Sequence, residues 1–125
     1  MPTVYTASFY DPQDWVGLVY RVSRAHPRGR KTQWETLPFL SPPRALLQAY
    51  RAGDIGFPDF ERDYVAGLEA AVGQAGELEE WLSTVPSMDR FTLLCFERAG
   101  QACHRRVLAQ WLQEKVGSVE LGELR

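Results

Sequence analysis

Apolar residues change their period several times along the chain, and each change marks an element. Residues 3–10 (TVYTASFY) are rich in β-branched and aromatic side chains and predict a first strand. DPQD (11–14) follows as a turn, because proline fixes φ and aspartate bonds to nearby backbone. WVGLVYRVS (15–23) predicts a second strand. Residues 24–40 mix basic residues with proline and glycine, hold no period, and read as a long loop that faces a ligand or partner.

From residue 41 the spacing becomes helical. Ser41 stands where a cap belongs, Pro42 falls in the first turn, Leu46, Leu47 and Tyr50 form a stripe, and Gly53 ends it. A second helix starts near Pro58, with Asp59 and Glu61 suited to the positive end of its dipole. Phe57, Phe60, Tyr64, Leu68 and Ala71 recur at helical spacing and read as core rather than a ligand cage. Gly73 and Gly76 weaken that helix, and ELEEWLSTV (77–85) resumes it until Pro86. RFTLLCFE (90–97) is almost continuously apolar and predicts a strand buried on both faces. RAGQ (98–101) connects it to a helix over 102–116 with Val107, Leu108, Trp111 and Leu112 along one face. SVELGEL (118–124) adds a short edge strand. This order predicts a small single-domain α/β protein over 1–125, a three-layer sandwich with a mixed or mainly parallel sheet.

Composition narrows the class. With 125 residues, 45% apolar and 12% aromatic, the chain can fill one core, which excludes global disorder. The formal charge of −2 hides an asymmetry: residues 1–53 carry a net +4 and residues 54–125 a net −6. RVSRAHPRGRK (21–31) holds much of the positive charge, which suits phosphate, nucleic acid or a carboxylate, the plain alternative being a solvated loop. No secretory signal pattern is present, and no apolar window reaches the roughly 18–20 residues that a membrane span needs. Two cysteines are too few for a disulfide scaffold. The expectation is a cytoplasmic protein with reduced thiols and no membrane partner.

The chemistry concentrates in residues 95–106, which hold both cysteines, one of the two histidines and three arginines. Cys95, inside an apolar strand, reads as inert core. Cys103, His104, Arg105 and Arg106 fall in the first turn of the last helix, where amides and dipole favour an anion and guanidinium forks suit phosphate or carboxylate. The leading expectation is an anionic small molecule or nucleic acid held there by Arg105 and Arg106, with Arg24, Arg28 and Arg30 of the basic loop converging on it. The alternative is an enzyme with Cys103 as nucleophile and His104 as proton handler, although both residues can also simply pack. A structural or interaction protein without a small-molecule site is the third reading.

Several specific chemistries find no support in the spacing. A cysteine followed by five residues and an arginine, the phosphatase arrangement, is absent. Cys95, Cys103, His104 and the distant His26 match no familiar zinc spacing, so neither metal nor cofactor is expected. A Cys95–Cys103 redox pair is conceivable, and no glycine-rich phosphate loop occurs. Glu97 reads as a solvated ion-pair partner, and His26 as an exposed residue before proline. Of the aromatic residues near the basic loop, Tyr5 and Tyr20 read as packing, whereas Tyr10 and Trp34 are open to stacking on a base or sugar.

The block LLCFE…CHRRVLAQWL (93–112), preceded by PPRALLQAYRAGDIGFPDFERDYVAGL (42–68), resembles the bacterial and archaeal domain of unknown function 488 family. The likeness includes a Tyr-Arg-x-Gly-x-Ile core at 50–55 and, more loosely, Ser-Arg-x-x-Pro at 23–27. It implies a compact α/β domain and marks Cys103, His104 and Arg105 as signature positions. It implies no particular reaction.

Overall fold

The computed structural model describes residues 2–10, 14–24, 29, 34–74, 76–96 and 103–125. Strands β1 (Thr3–Ser8), β2 (Leu18–Arg21) and β3 (Glu35–Thr36) precede helices α1 (Arg44–Arg51), α2 (Phe57–Val72) and α3 (Glu77–Thr84). Strand β4 (Arg90–Cys95), helix α4 (His104–Lys115) and strand β5 (Glu120–Leu124) follow. The strands form one five-stranded sheet in the order β3-β2-β4-β1-β5, and every neighbouring pair is parallel. The α/β class with a mainly parallel sheet is therefore as expected.

Connectivity departs from the simplest reading of the pattern. β1 and β2 are consecutive in the chain, yet β4 lies between them, pairing Ser8 with Cys95 and Leu18 with Phe91. Before β2, Val16 and Gly17 lie against the start of β4, where Thr92 fastens them. The Val16 N–H donates to Thr92 Oγ1 (3.1 Å), and the Thr92 hydroxyl donates to the Val16 carbonyl (2.8 Å). Within 24–40, expected as loop, Glu35–Thr36 pairs with β2, and Pro38–Leu40 forms a 3-10 turn. Two residues are too few to display a period.

Helix ends show which local signals decide. Ser41 does not cap α1; its hydroxyl donates to the Pro38 carbonyl (2.6 Å), and Pro43 takes the cap position. Gly53 ends α1 as expected, at φ +81°. There the Asp54 N–H reaches the Ala49 carbonyl (3.0 Å) and the Gly53 N–H the Tyr50 carbonyl (3.1 Å), satisfying carbonyls that the helix leaves open.

β4 is buried on both sides, as its apolar run predicts. On one face Val4, Tyr20, Val22, Phe91 and Leu93 join Tyr64, Leu68, Trp81, Leu108, Trp111 and Leu112 from α2, α3 and α4 in a single cluster. On the other, Ala7 and Leu94 pack with Phe9 and Trp34, and Trp15 and Phe96 flank them. The layer beyond that second face is thus built from connecting segments. Trp34 belongs to this layer, 4.9 Å from the Phe9 ring and 6.1 Å from that of Trp15, rather than to a stacking platform.

Candidate functional site: two thiols and an imidazole below a cavity

Parallel strands bring their carboxyl ends to one edge, and the connections there diverge. β2 leads to β3 on one side, whereas β4 leads through α4 to β5 on the other. Such a switch point leaves a crevice in which ligands of open α/β sheets bind. A cavity of about 430 Å³ occupies it. Its wall comprises Tyr10 beyond β1, Ser23 and Arg24 beyond β2, Cys95 and Phe96 at the end of β4, and His104 at the start of α4. Pro42, Leu47 and Arg51 close the side formed by α1 and its approach.

His104 organises the floor. Its Nε2 lies 2.8 Å from the Val22 carbonyl oxygen, which can only accept, so Nε2 carries a hydrogen. In the neutral ring Nδ1 is then an acceptor. It lies 3.7 Å from Cys95 Sγ and 3.7 Å from Cys103 Sγ, and all three residues are buried. Tyr64 meets the imidazole edge-on, with ring centroids 5.4 Å apart, and its buried hydroxyl donates to the Leu40 carbonyl. Tyr64→Phe should therefore cost about 1–3 kcal/mol, because the Leu40 carbonyl loses a buried donor. Urea unfolding measures this, and an unchanged midpoint would mean that the carbonyl finds another donor.

Burial pushes the Cys103 thiol up, but hydrogen bonding to Cys95 and His104, the charge that His104 carries when its ring is protonated, and the charge of Arg105 outweigh it and hold the thiol well below its usual range. Burial raises the Tyr64 phenol well above its ordinary value, and the two thiols raise it further. The site thus favours anionic sulfur and keeps the tyrosine neutral.

The expected residues separate into distinct groups. Cys103 Sγ and His104 Nδ1 lie 3.7 Å apart. Cys95, expected as inert core, is the last residue of its strand and lines the cavity beside His104. Arg105 does not line the cavity: it is 0% exposed, and its Nε donates to the Arg125 carbonyl (2.8 Å). Its position was legible, since Arg105, Leu108, Ala109 and Leu112 share the helical spacing of one buried face. Arg106 is half-buried on α4 and is also not part of the cavity wall. Arg24 is part of it, and its Nη1 donates to the Pro42 carbonyl (3.2 Å). Arg28, Arg30, His26, Glu97 and Arg98 lie outside the described residues. Arg51 escaped sequence reasoning, although it occupies the second position of the Tyr-Arg-x-Gly-x-Ile block.

Among the described residues there is no disulfide, and no helix is long and apolar enough to cross a membrane. No curated protein and no solved structure matches the chain. The profile of the DUF488-N3a family, described as the active DUF488-N3 subclade, matches residues 3–116. That span takes in β1 through α4, with Cys95, Cys103, His104 and both arginines of the cavity, and the chain belongs to the domain of unknown function 488 family.

Proposed function

We propose that the chain binds a small anionic ligand, bearing phosphate or carboxylate, in the cavity between the carboxyl ends of β2 and β4. The observation that carries this reading is the pairing of Arg24 and Arg51 on the wall of a cavity that reaches Cys95 and His104. Guanidinium forks favour planar or tetrahedral oxyanions, and both arginines are solvent-exposed, so they can meet an incoming ligand. Tyr10, Phe96, Pro42 and Leu47 supply apolar wall for the body of such a molecule. The anion contact is thus assigned to Arg24 and Arg51, while Arg105 serves the fold.

Calorimetric titration with inorganic phosphate and with a nucleoside monophosphate tests the proposal. Arg24→Ala and Arg51→Ala should each weaken binding roughly ten- to a hundredfold, the worth of one charge-assisted contact. Binding should also fall as salt rises, because partly exposed charges are screened. Wild-type affinity in both variants, or no binding of either anion, would overturn the assignment.

A further inference from the structure

We infer that Cys95, Cys103 and His104 form a zinc site whose open coordination position faces the cavity. This rests on observations separate from the two arginines. Three soft or borderline donors, two Sγ and one imidazole nitrogen, lie within 4.8 Å of one another. Tetrahedral zinc with ordinary Zn–S and Zn–N bonds places sulfur and nitrogen about 3.6 Å apart. Both Sγ atoms lie 3.7 Å from His104 Nδ1. Cys95 Sγ also lies 3.9 Å from Nε2, so this thiol has to swing round to the Nδ1 side of the ring before one ion bonds all three donors.

The surroundings fit the same chemistry. A histidine that ligates a metal characteristically gives its other ring N–H to a carbonyl or carboxylate, which fixes the tautomer and aims the ring. His104 Nε2 has such a partner in the Val22 carbonyl at 2.8 Å, leaving Nδ1 toward the sulfurs. A nucleophilic dyad needs one thiol and one base, whereas here two thiols stand equally far from the same nitrogen. A single Nδ1 lone pair takes one S–H, but one cation serves all three donor atoms. Three protein ligands are also the number found in zinc sites that keep a position for water or substrate. Cys95 and His104 line the cavity, which gives the ion a path of entry.

Sequence spacing concealed this set. Familiar zinc patterns place paired ligands on one short knuckle, whereas here one ligand ends β4 and two open α4. Folding joins them at the sheet edge.

The test uses the full chain. After incubation with zinc and removal of excess, mass spectrometry of the metal should find about one zinc per chain, falling to near zero in Cys95→Ser and in His104→Gln. Cobalt(II) should give thiolate-to-metal charge transfer and visible bands of tetrahedral intensity. A variant that fails to fold leaves a second measurement on the wild type: zinc should protect both Cys95 and Cys103 from iodoacetamide, and a chelator should restore their alkylation. No retained zinc, no cobalt–thiolate band, or alkylation indifferent to zinc would overturn the inference. Phosphate titration keeps the two proposals apart. A chain that holds zinc but does not bind phosphate fails only the anion reading, and a chain that binds phosphate through Arg51 without holding zinc fails only this one.

Discussion

Arg105→Ala should lower the unfolding free energy by about 3–5 kcal/mol, the range for truncating a large buried side chain or breaking a buried charge contact. Arg105 is among the largest fully buried side chains of the protein. Its Nε donates to the Arg125 carbonyl (2.8 Å), which also accepts from Thr6 Oγ1 (3.3 Å). The Arg125 N–H returns to the Thr6 carbonyl (3.2 Å), and the Arg125 guanidinium forks onto both oxygens of Asp14 at 2.9 Å. Arg105 therefore ties the start of α4 to the end of β5, and through it to β1 and to Asp14.

Arg105→Met separates volume from charge. Methionine fills much of the same space and needs no donor partner, so it should recover a large part of the loss. Urea unfolding of both variants checks this, and an Arg105→Ala midpoint equal to wild type would refute the structural role. Phosphate binding to Arg105→Met should match wild type, in contrast to Arg51→Ala, which separates the tie from the ligand contact.

How far the sequence reveals this protein depends on whether a signal is local. β4 was readable because an apolar run in the middle of a sheet is buried on both sides. The end of α1 was readable because Gly53 sits at a positive φ that other residues resist. Pairing order was not: nothing between Thr3 and Arg21 announces that a strand from residue 90 onward will insert between β1 and β2. For the site, proximity in the chain brought forward Cys103, His104, Arg105 and Arg106. Chain proximity is a poor guide on a helix, where successive residues point about 100° apart. His104 turns toward Val22 and the thiols, while Arg105 turns onto the face of Leu108, Ala109 and Leu112. Arg51 and Ser23 join the cavity only through the fold, from elements far away in the chain.

Gly17→Ala should be the most damaging loss of a glycine, and its cost can be split into two parts. Gly17 has φ +68°, a conformation that costs an L residue about 1–2 kcal/mol. In addition, a methyl group there would collide with the carbonyl oxygen and carbon of Arg90, backbone atoms at the start of β4 that cannot yield alone. Either Val16 and Gly17 lift away from β4, breaking the Val16–Thr92 bonds, or β4 shifts against its neighbours. Gly53→Ala supplies the reference. Its φ of +81° carries the same backbone penalty, but nothing lies within 4 Å of the added methyl. Gly53→Ala should cost about 1 kcal/mol and Gly17→Ala about 2–4 kcal/mol. Thermal unfolding reads the difference directly, since each 1 kcal/mol moves the midpoint by roughly 2–8 °C in domains of 60–250 residues. Equal shifts would mean that Gly17 does not press on β4. A larger shift for Gly17→Ala would establish that the chain meets the central strand there in close backbone contact, which is the packing that lets β1 and β2 flank β4 and bring Tyr10, Ser23 and Cys95 to one edge.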